Sequence, residues 1–394
     1  MNRAVICSAV RTPIGKFLGG LSSLSPADLG VAAVIPALER AGISPDRVDE
    51  LRFGCGRQAG GGPNVARQIS VRSGIPVSST AVTINMACGS GLLSIIEARD
   101  AIERGDAQVM VAGGTESMSQ LPFYLLGARQ GYRLGQGELV DGMYRDGFHC
   151  PMADQLMGAT AENLAEEFSI DRQEQDAYAV ESQQRCEKAR QEGRFADEIA
   201  AVEIPGRKGV TVVDTDEHPR DGASIEGLAR LKPVFKKDGS IHAGNSSGIT
   251  DGACALLIAD EELARSEGWP ILATLGASAR AGVEPQRMGI GPVPAIGKLL
   301  EKTGRKIEDF DLVELNEAFA AQVIACLREL PIDRQRLNVN GGSIALGHPI
   351  GATGARITTT LLHELRRRGG GKGLATLCIS GGMGLALEID VHGA

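Results

Sequence analysis

The chain has 394 residues, a formal net charge of −8 and 52 glycines. Its length favours two or three lobes over one ordinary domain, and 43% hydrophobic residues suffice for sizeable cores. The negative charge argues against nucleic-acid binding. No apolar run reaches the roughly 18 residues that span a bilayer, and the N-terminal residues lack the apolar core of a signal peptide. We therefore expect a soluble cytoplasmic protein.

The eight cysteines are spread along the chain without a dense framework or a Cys-x-x-Cys pair. This usage predicts reduced thiols rather than disulfides. No cluster of cysteine and histidine has zinc-ligand spacing, so we expect no metal.

The first 118 residues predict alternating strands and helices. Residues 82–85 form a short strand candidate that leads to Cys88, and residues 108–112 form another. Between them lies a helix that Gly105 ends, with its apolar face at helical spacing on Leu92, Leu93, Ile95, Ile96 and Ile102.

Residues 119–249 break this alternation. Two charged helices are predicted, one starting near Thr160 and one capped by Asp171 with Glu174 at the capping-box spacing. The turn-rich stretch 206–237 carries seven Lys/Arg against five Asp/Glu. It is either a solvated surface loop or a cover that meets an anionic ligand such as a nucleotide phosphate.

The strand–helix pattern returns near the C-terminus. A Gly-rich turn at 347–354 precedes a helix with its apolar face on Ile357, Leu361, Leu362 and Leu365, and residues 374–377 form the next strand. The repeated pattern predicts two related α/β halves.

Two cysteines and one histidine stand at glycine-rich element boundaries, which suits a nucleophile, a base and an activator. At the strand-to-helix turn Cys88 would feel the positive helix terminus, which lowers a thiol pKa. The unperturbed pKa of His348, near 6.5, suits proton exchange with a thiol. Cys378 follows an apolar strand and is equally compatible with an ordinary core cysteine. Asn316 follows another strand and is compatible with a helix N-cap.

Several blocks, taken in order, closely resemble the thiolase family over nearly the whole chain. They are Arg11-Thr12-Pro13-Ile14-Gly15, Asn85-Met86-Ala87-Cys88-Gly89-Ser90-Gly91, Ala243-Gly244-Asn245-Ser246-Ser247-Gly248, Asn316-Glu317-Ala318-Phe319, Gly347-His348-Pro349-Ile350-Gly351 and Cys378-Ile379-Ser380-Gly381-Gly382. Within the family, the pattern is most similar to bacterial acetyl-CoA acetyltransferases.

The resemblance implies an α/β fold of five layers, αβαβα, from two similar halves. The N-terminal half would span 1–268, with a CoA-binding loop domain inserted at 119–249, and the C-terminal half 269–394. Assembly as a homo-oligomer, a dimer or a tetramer, is also implied.

The resemblance further assigns roles to the reactive residues. Cys88 would carry the acyl group as a thioester, and His348 would activate it. Cys378 would move the α-proton of a second acyl-CoA. Asn316 would hold a water that joins His348 in one oxyanion hole, and the N–H groups of Cys88 and Ser380 would form a second.

The implied reaction joins two acetyl-CoA into acetoacetyl-CoA and CoA, or runs in reverse, in fatty acid metabolism. Coenzyme A esters would be substrates, and no cofactor is expected. Six residues resemble family positions that hold the nucleotide, the pantetheine arm or the acyl group: Arg220, Ser247, Phe235, Met157, Met288 and Phe319. Taken alone, the methionines and phenylalanines fit an ordinary core equally well.

Two positions depart from the acetoacetyl-specific pattern. Leu156 replaces a histidine of biosynthetic members, and Ser380 replaces a usual glycine, which a strained backbone would favour. A degradative 3-ketoacyl-CoA thiolase, for longer or dicarboxyl substrates, is therefore the alternative. A decarboxylating condensing enzyme fits poorly, because Asn316 fills its second histidine position and Cys378 is present. A non-catalytic acyl-CoA-binding protein is the remaining alternative.

Overall fold

The computed structural model describes residues 2–207 and 209–393. The strands are β1 (Ala4–Arg11), β2 (Gly15–Lys16), β3 (Glu50–Gly54), β4 (Thr80–Ile84), β5 (Val109–Ser117), β6 (Phe123–Leu125), β7 (Leu139–Asp141), β8 (His149–Cys150), β9 (Gln155–Leu156), β10 (Val202–Gly206), β11 (Gly209–Val213), β12 (Thr250–Asp260), β13 (Ala273–Gly282), β14 (Leu312–Leu315), β15 (Gly371–Ile379) and β16 (Met383–Val391).

The α-helices alternate with these strands in both halves of the chain. They are α1 (Pro26–Ala41), α2 (Val65–Arg72), α3 (Ser90–Arg104), α4 (Met157–Glu167), α5 (Arg172–Gln191), α6 (Ile225–Ala229), α7 (Glu261–Glu267), α8 (Pro292–Thr303), α9 (Ala320–Glu329), α10 (Ser343–Leu346) and α11 (Ile350–Arg367).

One ten-stranded mixed sheet runs through the molecule in the order β14-β15-β16-β13-β1-β12-β5-β3-β4, with β2 beside β12. β3 is parallel to β4 and β5, and β14 is parallel to β15, while the other neighbours are antiparallel. The two halves join where β1 pairs with β13, at Val5 with Thr274 and Ile6 with Ala273.

The helices form layers around this sheet. α3 and α11 pack against each other and against strands of both halves, so they make the central layer. α1 and α2 cover the N-terminal half on one outer face, and α8 and α9 cover the C-terminal half on the other. The predicted five-layered α/β fold is confirmed.

Glycines let the central helices approach their neighbours. A Cβ on Gly114 of β5 would collide with the carbonyl oxygen of Gly351. A Cβ on Gly91 would lie 2.8 Å from the same oxygen, closer than real Cβ atoms come. Because residues without a Cβ occupy these positions, the N-terminal ends of α3 and α11 lie side by side. Cys88 and His348 precede these two ends.

Residues 119–249 contain β6 to β11 and α4 to α6, and none of these strands joins the large sheet. The charged helices start close to their predicted positions, at Met157 and at Arg172, and the Asp171 side chain accepts from the Glu174 N–H at 2.8 Å. The boundaries proposed for two halves and an insertion stay a prediction.

Within the described residues, no helix has both the length and the apolarity required to cross a membrane. All eight cysteines are free thiols. No group of three or more histidine, cysteine or carboxylate side chains in this part of the chain could hold a metal ion.

Candidate active site

Cys88 lies in the turn between β4 and α3. Ala87 before it has a φ of 45°, a left-handed conformation that is unusual for alanine. Backbone strain of this kind is often found at functional sites. The Ser90 hydroxyl fixes the turn, since it accepts from the Met86 N–H at 2.8 Å and donates to the Ala87 carbonyl at 2.7 Å. The turn leaves the Cys88 thiol half-buried and facing a cavity.

His348 contacts Cys88 directly, with 3.3 Å between Nε2 and the Cys88 Sγ. Its Nδ1 lies 2.6 Å from the Thr353 Oγ1, and that hydroxyl donates to the Pro349 carbonyl at 2.9 Å. Because the Thr353 hydrogen is committed to Pro349, Nδ1 must carry the ring proton of neutral His348 and donate to Thr353. The lone pair of Nε2 then faces the thiol.

Burial, together with Arg57 and Arg356, lowers the pKa of His348 to about 3. Burial raises the pKa of Cys88, although backbone N–H groups of Ser380 and Cys88 and the charge of Arg57 oppose that shift. The sequence-based expectations of a lowered thiol pKa and an unperturbed histidine pKa were therefore wrong in the resting state. Desolvation outweighs the helix terminus, so the resting pair is a neutral thiol beside a neutral imidazole.

Cys378 lies near the end of β15 and lines the same cavity, with 1% of its surface exposed. Its pKa is raised well above the ordinary thiol value by burial first and then by the charges of Cys88 and Cys326. A group at position 88 that cannot ionise would therefore ease the ionisation of Cys378.

Ser380 does not need the conformation that would favour glycine. The residues with positive φ at this turn are Gly381 and Gly382, at 89° and 87°. The backbone N–H of Ser380 acts on the Cys88 sulfur, as does the N–H of Cys88. These are the two groups that the predicted second oxyanion hole requires, and a serine side chain leaves them in place.

Asn316 follows β14 and is not among the residues that line the cavity. It is 1% exposed, and its Oδ1 accepts from the Ser343 hydroxyl at 2.6 Å, while its Nδ2 is buried with no hydrogen-bond partner among the described residues. The helix-cap interpretation was wrong, because α9 begins at Ala320 with Phe319 at the cap position.

The remaining predicted site residues line the same cavity, whose volume is about 520 Å³; they are Arg220, Ser247, Phe235, Met157, Met288 and Phe319. Phe235 and Phe319 pack edge to face with 6.1 Å between ring centroids. Leu156, the departure noted above, also lies in this wall.

The lining residues that were missed from the sequence include Arg57, Met118, Phe148 and His218. Arg57 had a usable signal, because it follows β3, and β3 is parallel to the strand that leads to Cys88. Carboxyl ends of parallel strands meet at one edge of a sheet, where ligands bind. Phe148 and His218 come from irregular segments with no comparable signal.

Glu116 connects the turns around the site through hydrogen bonds. Its fully buried carboxylate accepts from the backbone N–H groups of Gly56 at 3.0 Å, Arg57 at 3.0 Å and Gly351 at 2.8 Å. Burial raises its pKa, and Arg57 and these N–H groups oppose that shift. The carboxylate thereby joins the turn after β3 to the start of α11, beside His348.

Comparisons with known proteins agree with this geometry. Residues 4–262 match the thiolase N-terminal domain and residues 269–391 the thiolase C-terminal domain. An acetyl-CoA acetyltransferase of Pseudomonas aeruginosa is 50% identical over 390 residues, with 99% of each chain covered.

Two solved structures are similar over the whole chain. The Bacillus anthracis acetyl-CoA acetyltransferase has a TM-score of 0.97 and 46% identity, with 99% of each chain covered. Human mitochondrial 3-ketoacyl-CoA thiolase in complex with CoA has a TM-score of 0.95 and 42% identity, covering 99% of this chain and 98% of the other. The predicted family resemblance is confirmed: the chain belongs to the thiolase family and is an acyltransferase.

Proposed function

We propose that this protein is an acetyl-CoA C-acetyltransferase that reversibly condenses two acetyl-CoA into acetoacetyl-CoA and CoA. The observation that carries the proposal is the contact of 3.3 Å between the Cys88 Sγ and the His348 Nε2, with Cys378 lining the same cavity. The names of the similar proteins point to the same reaction.

In the first stage, the His348 Nε2 accepts the Cys88 proton, and the thiolate attacks the thioester carbon of acetyl-CoA. Negative charge then develops on the thioester oxygen, where the N–H groups of Cys88 and Ser380 would stabilise it. CoA leaves with the proton, and the acetyl group remains on Cys88 as a thioester.

In the second stage, the Cys378 thiolate removes the α-proton of a second acetyl-CoA. Acylation prepares this step, because an acetylated Cys88 can no longer form the thiolate whose charge would raise the Cys378 pKa. The resulting carbanion attacks the acetyl carbon and expels the Cys88 thiolate. A water held by the Asn316 Nδ2 would stabilise the enolate oxygen; this donor is buried and unpaired among the described residues. His348 would join this oxyanion hole only while its Nε2 carries a proton, because the neutral ring presents a lone pair there.

Coenzyme A esters are the proposed substrates, with no cofactor. Arg220 and Ser247 supply a charge and a hydroxyl at the cavity wall, and the loop that carries Arg220 also brings His218 there. The phosphates of CoA suit the exposed Arg220 guanidinium. We further propose a cytoplasmic homo-oligomer, a dimer or a tetramer, active in fatty acid metabolism.

A degradative 3-ketoacyl-CoA thiolase is the second candidate, because the apolar Leu156 lies in the cavity wall. The deciding experiment is CoA-dependent thiolysis of acetoacetyl-CoA beside a medium-chain 3-ketoacyl-CoA, with Cys88→Ala as the control. A higher kcat/KM on acetoacetyl-CoA supports the acetyltransferase. A higher value on the longer substrate supports the degradative enzyme, and no turnover of either rejects both in favour of acyl-CoA binding alone.

A further inference from the structure

Arg57 is a charged side chain in the cavity wall that the proposed reaction does not use. It follows β3, is 4% exposed, and lines the cavity that holds Cys88 and Cys378. Its charge acts on both Cys88 and His348. The guanidinium therefore lies within electrostatic range of the position where an acyl group would be bound.

The contacts of Arg57 leave its charge without an anionic partner. Its Nη1 donates to the Met118 sulfur at 3.2 Å, a weak acceptor, and its Cζ lies 5.1 Å from the centroid of the Phe148 ring. Its Nε is buried, and no described residue offers it a hydrogen bond. Among the described residues, no carboxylate oxygen comes within ion-pairing distance of the guanidinium, since no salt bridge involves it.

Two carboxylates face this region, and both are engaged elsewhere. Glu116 accepts three backbone N–H groups, including that of Arg57. Asp146 is exposed at the cavity wall and accepts from the Tyr124 hydroxyl. Both act on Arg57 only through space. A buried charge without a hydrogen-bonded partner is unfavourable, so a ligand anion that reached Arg57 would relieve that cost.

The surroundings hold the guanidinium in one place. A Cβ on Gly147 would collide with its Nε and Nη2, so the turn at Tyr144–Phe148 covers the charged group only because that position is glycine. The Phe148 ring contacts the same group. A fixed planar guanidinium is suited to a carboxylate, which it can bind through two parallel hydrogen bonds.

We propose that Arg57 binds a carboxylate at the far end of the acyl chain, so that the enzyme also cleaves short 3-oxo-acyl-CoA esters that end in a carboxylate. This inference rests on the proposed thiolase reaction. The unpartnered, buried Arg57 beside Cys88 is the observation that carries it.

The proposed cleavage uses the same bonds as acetoacetyl-CoA thiolysis. The Cys88 thiolate attacks the 3-oxo carbon, and the bond between C2 and C3 breaks. The electron pair stays on C2, which Cys378 protonates to give acetyl-CoA. The carboxyacyl group remains on Cys88 until the CoA thiolate attacks it and releases a carboxyacyl-CoA. No oxidant or reductant is involved.

The test compares three substrates: acetoacetyl-CoA, a six-carbon 3-oxo-acyl-CoA that ends in a carboxylate, and the uncharged six-carbon 3-oxo-acyl-CoA. The wild-type enzyme is expected to cleave the carboxylated ester with a higher kcat/KM than its uncharged counterpart. Arg57→Met should reduce kcat/KM on the carboxylated ester by about 10-fold to 100-fold more than on the other two substrates, as loss of a charged hydrogen bond does. The loss shared by all three substrates measures the effect of the Arg57 charge on Cys88.

Three variants serve as controls. Arg57→Lys keeps the charge but not the planar fork, and should retain part of the preference. Arg145→Met removes an exposed charge from the same turn and should leave kcat/KM unchanged on all three substrates. Arg220→Met should lower kcat/KM on all three substrates alike, because Arg220 is proposed to bind the CoA portion that they share.

Two results would overturn the inference. One is a higher kcat/KM of the wild-type enzyme on the uncharged six-carbon ester. This comparison needs no variant, so it tests the inference even if Arg57→Met fails to fold. The other is an equal loss on all three substrates in Arg57→Met, which would assign Arg57 to the support of Cys88. Neither result contradicts the acetyltransferase proposal. That proposal would fail if the wild-type enzyme were inactive on acetoacetyl-CoA.

Discussion

At the residue scale, Thr353 decides which nitrogen of His348 can receive a proton. Its hydroxyl accepts from Nδ1 and donates to the Pro349 carbonyl, which leaves the Nε2 lone pair facing the Cys88 sulfur. Without the hydroxyl, the ring could carry its proton on Nε2 and could no longer accept one from the thiol. Thr353 is therefore a positioning residue.

We expect Thr353→Val to lower kcat by about 10-fold with little change in KM, since one buried hydrogen bond is lost and substrate contacts remain. Thr353→Ser retains the hydroxyl and should restore most of kcat. Steady-state thiolysis of acetoacetyl-CoA measures both. Equal rates for Thr353→Val and the wild-type enzyme would contradict the role of this hydroxyl.

The pH dependence of the thiol follows from the shifted pKa values. With a pKa of about 3, His348 is neutral above that pH, so its capacity to accept the Cys88 proton does not change between about pH 5 and pH 8. Because the pKa of Cys88 is raised, its thiolate forms mainly at alkaline pH. Alkylation by iodoacetamide, followed at Cys88 by peptide mass mapping, should therefore rise steadily with pH. A step centred near pH 6.5 would show that His348 titrates normally.

At the element scale, close packing between α3 and α11 holds the two reactive ends together. Gly354 lies inside α11, and a Cβ there would collide with the backbone of Leu92 in α3. Gly297 lies inside α8, where an added Cβ would meet no atom of the described residues within 4 Å. The two glycines thus share a helical setting and differ in their surroundings.

Alanine at these two positions should have opposite effects. In Gly297→Ala, the free energy of unfolding should rise by about 0.5–1 kcal/mol, because alanine favours a helix interior. In Gly354→Ala, it should fall by about 1–3 kcal/mol, because the overpacked helices must separate. Urea denaturation compares them, and stabilisation by both changes would refute the packing account.

The strands and helices were largely predictable, because the spacing of apolar residues indicates which face of a strand or helix is buried. The strand before Cys88, the helix after it, α11 and β15 all form where apolar spacing indicated. The placement of Phe148 and His218 was not predictable, since irregular segments reach the cavity through tertiary contacts. The pKa directions also escaped prediction, because desolvation depends on packing that a sequence does not display.

At the scale of the whole molecule, a buried ion cluster links residues 119–249 to the large sheet. The Arg11 side chain, at the end of β1, donates to Glu198 at 2.6 Å and to both oxygens of Asp216 at 2.7 Å and 2.9 Å. All three residues are buried. Asp216 precedes His218 and Arg220 in the loop that reaches the cavity.

Arg11→Met should therefore lower the free energy of unfolding by about 3–5 kcal/mol, because two buried carboxylates lose their counter-charge. We also expect a higher KM for CoA as the loop loosens. The matched control is the triple variant Arg11→Met, Glu198→Gln, Asp216→Asn, which leaves no buried charge and should recover part of the stability. Denaturation and CoA titration measure the two effects. A single variant as stable as the wild-type enzyme would exclude the cluster as a link.

The central claim is that Cys88 carries the acyl group while Cys378 moves the proton, and intact-protein mass spectrometry after mixing with acetyl-CoA tests it most directly. The account predicts that Cys378→Ala accumulates one acetyl group, mapped to Cys88, and forms no acetoacetyl-CoA. Cys88→Ala should remain unmodified. An acetyl group on Cys88→Ala, or full condensation by Cys378→Ala, would contradict the assignment of the two cysteines.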